Sequence, residues 1–223
     1  MKLLSVNAGR LTAVEYTDSA SGLTGVDKRP VDGPVRVFAP GPTGVAGSGV
    51  EGDSVSDLRF HGGNDRAVTA FAREDLDDWE RELGRPLANG GFGENLTTTG
   101  LDVNGALIGE RWRVGSEGVV LEVTGGRIPC RTFQGHVGVP GWVRRFTRAG
   151  APGALLRVIE PGPVQAGDPV EIVHRPDHDI TVALLFRAAT VERTLLPRTL
   201  VAAEWMESGL LATAREYAAK YAS

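Results

Sequence analysis

The chain contains one cysteine, Cys130, within the segment GGRIPCR at positions 125–131. Arg127 and Arg131 stand on either side of this thiol, and guanidinium charge favours the thiolate, which attacks electrophiles and binds metals. Free cysteine is also among the most buried residue types, so an inert core thiol is the alternative. The segment alone leaves both interpretations open.

The range of metals that Cys130 could bind is narrowed by the rest of the sequence. A soft thiolate suits copper, zinc, iron–sulfur clusters or molybdenum. A single cysteine cannot build an iron–sulfur cluster or a structural zinc site, and the sequence has no CxxC pair. These two classes of metal site are therefore excluded.

A second candidate segment is DLRFHGGNDRAV at positions 57–68, in which a histidine, two arginines and two acids surround a glycine pair. Gly62 and Gly63 would let the backbone approach a ligand closely, and their N–H groups could hold an anion. Arg59 and Arg66 suit a phosphate, because a planar guanidinium binds oxyanions through two hydrogen bonds. The alternative is a turn whose polar residues satisfy their own backbone.

The third segment, GFGENLT at positions 91–97, offers Glu94 and Asn95 between glycines and a strand. These side chains could cap a loop or bond the edge of a heterocycle, and local chemistry favours the structural role. No GxGxxG follows a strand and opens a helix, and neither a P-loop nor a GxSxG is present. Nucleotide-dependent dehydrogenases, kinases and α/β-hydrolases are therefore poorly supported.

The composition of the chain limits the classes of protein to which it can belong. The net charge of -4 argues against a nucleic-acid surface. No apolar run approaches the ~20 residues of a membrane helix, and the N-terminus turns polar too soon for a signal peptide. A chain without an internal disulfide suits a reducing compartment. We expect a cytoplasmic protein that binds neither nucleic acid nor a membrane.

The elements that must position these residues are mostly short strands. Thirty glycines and 13 prolines separate brief Val/Leu/Ile runs, as in chains with many strands joined by turns. The glycine-rich stretch 41–52 is predicted to be a mobile loop. The predicted strands are an opening pair (2–7 and 12–16), 35–38, a hairpin (111–114 and 119–124), 155–160, 169–174 and 180–186.

Helices are predicted in three places. Leu76, Trp79 and Leu83 share one face of a helix spanning about 73–83. A second helix is predicted over 139–148, with Pro140 in its first turn. Beyond residue 187 the chain becomes alanine-rich, and we predict helices over 199–206 and 210–221. This tail would pack on the main domain or on a second subunit, which would make the protein a homodimer.

Taken in order, these segments resemble the MOSC family, named for the C-terminal domain of molybdenum cofactor sulfurases. The match runs through KRPV (28–31), 57–68, FGENL (92–96), IGE (108–110) and RIPC (127–130), and covers roughly residues 25 to 175. Within the family, the chain is most similar to stand-alone bacterial members that add a short helical C-terminal domain. Close relatives of these reduce N-hydroxylated compounds such as 6-hydroxylaminopurine.

The resemblance implies a mainly β, α+β fold: a MOSC-like β-barrel with peripheral helices over residues 1–180, followed by a short α-helical appendage over 181–223. It implies a pocket for the molybdenum–molybdopterin cofactor, with Cys130 as the metal ligand and catalytic thiolate. His61 would be a pocket contact or catalytic proton donor. The implied cofactor-binding residues are Lys28, Arg59, His61, Gly62, Gly63, Asp65, Arg66, Glu94, Asn95 and Arg127.

The implied activity is a molybdenum-dependent oxidoreductase that reduces a small N-hydroxylated base or amine. Its electrons would come from a separate reductase, because the chain has no flavin fingerprint and no cysteines for its own cluster. The alternative is a carrier of sulfur or molybdenum cofactor, in which Cys130 holds a persulfide or the cofactor without turnover.

Overall fold

Short strands and helices follow one another along the chain in the computed structural model, which describes residues 1–221. The strands are β1 (Lys2–Gly9), β2 (Thr12–Ala13), β3 (Leu23–Thr24), β4 (Lys28–Pro30), β5 (Val35–Val37), β6 (Val68–Ala72), β7 (Leu96–Thr99), β8 (Arg111–Val114), β9 (Val119–Gly126), β10 (Ala154–Glu160), β11 (Gly162–Val164) and β12 (Val170–His174). The helices are α1 (Arg73–Leu83), α2 (Arg131–Val137), α3 (Trp142–Ala149), α4 (Val182–Thr190), α5 (Leu196–Thr199) and α6 (Ser208–Tyr221).

An eight-stranded sheet, in the order β12-β8-β9-β10-β6-β7-β1-β4, forms the centre of the molecule. Its pairs are antiparallel except β6 and β7, which are parallel because α1 carries the chain back between them. The sheet curls until Lys2 meets Pro169 in a single bridge, where the Leu3 N–H donates to Asp168 O over 2.9 Å. Among residues 1–221, this single bridge does not close the sheet into the β-barrel that the resemblance implied. The fold is a mixed α+β one dominated by a large curled sheet.

The apolar core continues from the sheet into the C-terminal helices. Leu121 of β9 and Leu156 of β10 are fully buried in the same cluster as Leu185, Leu196 and Ala214 of α4, α5 and α6. The region after residue 180 therefore shares its core with the sheet. The division at residue 180 stays a prediction.

A second, aromatic cluster lies under the Cys130 segment. Trp79 and Trp142 have ring centres 4.6 Å apart, and Phe133 and Phe146 meet edge to face at 5.1 Å. These rings come from α1, α2 and α3, and Cys130 packs against the cluster. The cluster thus fixes helix α2, which begins directly after Cys130.

The sequence predicted α1 and the β8–β9 hairpin correctly. The second predicted helix begins only at Trp142, because Gly141 adopts a left-handed φ of 72° and leaves Pro140 outside. The predicted strand 180–186 is wrong, since most of it is α4. The Thr181 hydroxyl accepts a hydrogen bond from the Leu184 N–H at 3.1 Å and caps that helix.

Three other predictions need correction or refinement. Strands β1 and β2 do not pair with each other: β1 pairs with β4 and β7, and β2 with β3. The predicted helix 199–206 is replaced by the end of α5, a 3₁₀ turn at Leu200–Ala202 and an irregular segment. In the glycine-rich stretch, the Gly49 N–H donates to Ala67 O over 2.7 Å, so this part is attached to its neighbours.

No helix among residues 1–221 combines the length and apolarity needed to cross a membrane.

Candidate functional site

A cavity of about 650 Å³ opens where the Cys130 segment, the 57–66 segment, the 92–95 turn and α6 meet. Ligand pockets of proteins typically enclose about 300–1,000 Å³. Among the residues predicted for the site, all except Gly63 and Asp65 line this cavity, namely Lys28, Arg59, His61, Gly62, Arg66, Glu94, Asn95, Arg127 and Cys130. Four separate parts of the sequence thus converge on one pocket.

Cys130 lies at the junction between the end of β9 and the start of α2. Its backbone is extended, with φ of -128°, and its carbonyl accepts the Gln134 N–H at 3.0 Å within α2. Cys130 forms no disulfide and is half-buried. It packs against the aromatic cluster and also lines the cavity. It is therefore not sealed in the core, which was the alternative for this residue.

Arg127 supplies a cation close to this thiol. Its guanidinium lies over the Phe133 ring, 3.8 Å from the centre, and Nη1 donates to the Phe92 carbonyl. Burial lowers the pKa of Arg127, while Cys130 and Glu94 oppose that shift as neighbouring acidic groups. Arginine nevertheless stays protonated in proteins, so the positive charge persists at neutral pH.

Lys28 and Asp53 form a buried ion pair on another side of the cavity; the Asp53 side chain is fully buried. Asp53 also accepts from Gly9 N at 2.8 Å, from Ser48 Oγ at 2.6 Å and from Asn95 Nδ2 at 2.9 Å. Burial lowers the pKa of Lys28, and the adjacent Asp53 carboxylate opposes this shift.

Asp53 was not predicted from the sequence. It follows the glycine-rich stretch, and a single acid after glycines is equally typical of a surface turn. Its partners lie as far as 44 residues away in the chain, so no local spacing could have identified it.

Glu94 and Asn95 are buried, and the protein itself uses their hydrogen-bonding capacity. Glu94 accepts from Gly90 N at 2.6 Å, Phe92 N at 3.0 Å and Thr97 Oγ1 at 2.8 Å. Burial raises the pKa of Glu94, against these hydrogen bonds.

Asn95 donates to Asp53 at 2.9 Å, and its side-chain oxygen accepts from the Thr69 N–H at 3.1 Å. Both residues therefore shape the wall of the cavity, and the arrangement supports the structural role that local chemistry favoured. Their direct contact with a ligand stays a prediction.

His61 and Arg59 lie on the exposed side of the cavity. Desolvation of the ring lowers the pKa of His61, and the positive charges of Arg127 and Arg66 add to this effect. The imidazole is therefore neutral at pH 7. Arg59 is held by two hydrogen bonds, of 2.9 and 2.8 Å, to the carboxylate of Asp57.

The glycine pair allows two loops to touch. Both residues have a left-handed φ, 77° at Gly62 and 76° at Gly63. A Cβ on Gly62 would lie 2.5 Å from Gly47 O, and one on Gly63 would lie 2.5 Å from Thr43 Cα. The Gly63 N–H already donates to Gly47 O over 3.0 Å. The pair is thus required for loop packing, and Gly63 lies outside the cavity lining.

Asp65 and Arg66 connect the site to the C-terminal helix. Asp65 pairs with Arg157 at 2.6 Å and lies outside the cavity lining. Arg66 pairs with Glu207 at 2.9 Å, and its buried Nε has no hydrogen-bond partner among residues 1–221. The sequence did not predict that the C-terminal region contributes to the site, yet Glu207, Gly209, Leu210 and Thr213 all line the cavity.

Histidine, cysteine and acidic side chains do not gather in threes anywhere in the described part of the chain in a way that could hold a metal ion. Cys130 offers a single thiol to a cavity that Lys28, Arg66 and Arg127 also line, with Lys28 and Arg66 paired to Asp53 and Glu207. This arrangement can bind an anionic ligand and contribute one soft ligand to a metal.

Two comparisons connect this site to known proteins. The model of the MOSC domain matches residues 57–171, which include the 57–66 segment, the 92–95 turn and Cys130. Protein YflK of Bacillus subtilis is 35% identical over 180 residues, which are 81% of this chain and 76% of YflK. A protein of Gibberella moniliformis named "Reductase" is 30% identical over 201 residues, which are 87% of this chain but 34% of that longer protein.

The fold is shared with solved structures. YiiM from Geobacillus stearothermophilus superimposes with a TM-score of 0.77 at 24% identity, over 97% of this chain and 98% of that one. YiiM from Escherichia coli gives a TM-score of 0.72 at 25% identity, over 99% of this chain and 94% of that one. By its sequence, the chain belongs to the MOSC domain family.

Proposed function

We propose that the protein is a molybdenum-cofactor-dependent oxidoreductase that reduces small N-hydroxylated bases or amines. The observation that carries the proposal is the position of Cys130, half-buried at a cavity of about 650 Å³ that Lys28, Arg66 and Arg127 also line. Membership of the MOSC family and the name of the Gibberella relative support a redox enzyme.

The residues around the cavity fit a molybdenum–pterin group. Cys130 would provide its thiolate to the metal, because a soft sulfur ligand suits molybdenum. Arg127 would balance negative charge on the cofactor phosphate, and Lys28 and Arg66, which are already paired with Asp53 and Glu207, would donate hydrogen bonds to it.

Other residues would hold this arrangement in place. Asp53 fixes the ammonium group of Lys28, while Glu94 and Asn95 fix the turn against which Arg127 rests. We therefore assign Asp53, Glu94 and Asn95 a positioning role. Arg59 and His61, on the exposed side, would contact whatever enters the cavity.

The proposed reaction breaks the N–O bond of the substrate. The nitrogen receives two electrons, two protons are consumed, and the products are the amine and water. The bound molybdenum group would supply the two-electron redox chemistry, and a separate reductase would supply the electrons. Neutral His61 can donate one hydrogen bond and accept another, which suits a substrate contact better than storage of a proton.

The proposal is tested by preparing the full chain in a host that makes the cofactor and measuring reduction of 6-hydroxylaminopurine with an artificial electron donor. Turnover by the wild type and its loss in Cys130→Ala are expected, with Arg144→Ala, at an exposed position of α3 outside the cavity lining, as the control. A molybdenum-loaded protein without turnover would contradict the proposed reaction. A persulfide trapped on Cys130 without turnover would favour the carrier function instead.

A further inference from the structure

Helix α6 forms one wall of the cavity. Glu207, which directly precedes the helix, and Leu210 and Thr213 within it are spaced three residues apart and therefore face the same side. Leu210 is almost fully buried, and Thr213 is half-buried. The C-terminal region thus completes a pocket whose other walls come from the sheet and its loops.

This wall is held firmly in place. The Glu207 carboxylate accepts from the N–H groups of Gly209 and Leu210, both at 2.9 Å, and so caps the start of α6. The same carboxylate pairs with Arg66 at 2.9 Å. A Cβ on Gly125 would lie 2.7 Å from Leu210 Cδ1, so only glycine at this point of β9 allows the leucine to approach so closely.

The cavity lining includes charged residues as well as apolar ones. Lys28, Ser48 and Asp53 contribute charge and hydroxyl groups. Leu155 and Leu210 present methyl groups, and the Leu155 Cδ1 is 3.9 Å from the Cβ position on Gly125 that also meets Leu210. The Thr213 hydroxyl donates to Gly209 O over 2.9 Å, so its donor is used within the helix.

We infer that Leu210, with Leu155 and Thr213, determines the size of the substrate that reaches Cys130. The inference rests on the proposed function. A charged cofactor with a heterocycle edge must be recognised by charges and hydrogen bonds, which Lys28, Ser48, Asp53 and the Arg66–Glu207 pair supply. The methyl groups of Leu155 and Leu210 are then left to the substrate, and they suit the flat, uncharged body of an N-hydroxylated aromatic compound.

Because Cys130 is the only cysteine of the sequence, its alkylation can measure how α6 limits access to the cavity, without any measurement of turnover. In the full-length, cofactor-free chain, Cys130 is alkylated by iodoacetamide, which is small, and by N-(1-pyrenyl)maleimide, which is large and flat. Leu210→Ala should raise the rate ratio of large to small reagent by about tenfold, the scale on which one or two methyl groups discriminate in an apolar pocket. Leu210→Phe should lower the ratio, and Thr213→Ala should raise it less.

Leu211→Ala is the matched control, because Leu211 lies on the same helix and packs against the core without lining the cavity. It should leave the ratio unchanged, and thermal unfolding of each variant shows that it is folded. Unchanged ratios in the Leu210 and Thr213 variants, or an equal change in Leu211→Ala, would overturn the inference.

A second measurement uses the molybdenum-loaded chain. Leu210→Ala should raise kcat/KM for a bulky N-hydroxylated aromatic compound relative to 6-hydroxylaminopurine. If the loaded wild type reduces neither compound, the proposed function fails, while the alkylation ratios still decide whether α6 controls access. If both compounds are reduced and their kcat/KM ratio is the same in Leu210→Ala, the inference about substrate size is wrong.

Discussion

The guanidinium carbon of Arg127 lies 3.8 Å from the centre of the Phe133 ring, so a cation is stacked on the aromatic cluster three residues before Cys130. The Phe92 carbonyl accepts from the same guanidinium, and Phe92 belongs to the turn that Glu94 holds. The Arg127 side chain thereby joins the Cys130 segment to the 92–95 turn.

Removing this side chain should destabilise the fold. We expect Arg127→Ala to lower the free energy of unfolding by about 2 kcal/mol, because a desolvated cation–π contact and the packing of the stem are both lost. Urea denaturation measures this loss. Arg131→Ala, on the exposed neighbour, should change stability by no more than ~0.5 kcal/mol. Equal losses of unfolding free energy in the two variants would show that the contacts of Arg127 stabilise the fold no more than those of an exposed arginine.

The buried Lys28–Asp53 pair should behave as a coupled unit. Asp53→Ala leaves the ammonium of Lys28 buried without its partner, which should cost about 3–5 kcal/mol of unfolding free energy. The double variant Lys28→Met/Asp53→Ala should lose less than the sum of the single variants, as measured by a double-mutant cycle. The exposed pair Arg29–Asp27 is the control, and Asp27→Ala should cost at most about 1 kcal/mol. Additive losses at Lys28 and Asp53 would contradict the coupling.

Asp75 should make stability depend on pH. Burial raises its pKa from 3.8 to about 6; the hydrogen bond from Asn104 opposes the shift, and the nearby acids Asp102, Asp78 and Glu74 add to it. The folded state therefore holds the proton more tightly. The contribution of Asp75 to stability is fully present below pH 3.8 and is lost as the pH rises through about 6.

Asp75→Asn should make the unfolding free energy depend less on pH across this window, and it should stabilise the protein at pH values above the window. Urea titrations at several pH values measure both effects. Asp77→Asn, whose carboxylate is exposed on the same helix, should keep the wild-type profile. A wild-type profile in Asp75→Asn as well would show that this carboxyl does not titrate in the window.

Helix α4 should depend on its cap. Thr181→Ala removes the acceptor for the Leu184 N–H and should lower the free energy of unfolding by about 1 kcal/mol. Thr181→Ser keeps that acceptor and should restore most of the loss. Denaturation curves of both variants test this, and an equally destabilised serine variant would mean that packing of the threonine methyl is responsible.

The parts of the fold that were predictable have local causes. The spacing of Leu76 and Trp79 is sufficient for α1, and the β8–β9 hairpin is marked by a short turn between apolar runs. The apolar run 180–186 fits a buried strand as well as a buried helix, and only the cap at Thr181 distinguishes them. The sheet order was not predictable, because it depends on pairings such as β1 with β7 that span about 90 residues.

The convergence of the candidate residues on one cavity was predictable where they form compact segments. Arg59, His61 and Arg66 come from one segment and Arg127 and Cys130 from another, and all line the cavity. Asp53 and Glu207 were missed because their partners are distant in the chain, as in the Arg66–Glu207 pair across 141 residues. Glu94 and Asn95 also line the cavity, but their buried hydrogen bonds could be known only from the folded turn.

The most direct test of the account is the molybdenum content of the purified chain after expression in a host that makes the cofactor. Mass spectrometry of the metal compares the wild type with Cys130→Ala and with Arg144→Ala, an exposed position of α3 outside the cavity lining. The account predicts molybdenum in the wild type and in Arg144→Ala, and a marked loss in Cys130→Ala. A wild type without molybdenum, or equal loading in Cys130→Ala, would contradict the assignment of Cys130 as the metal ligand.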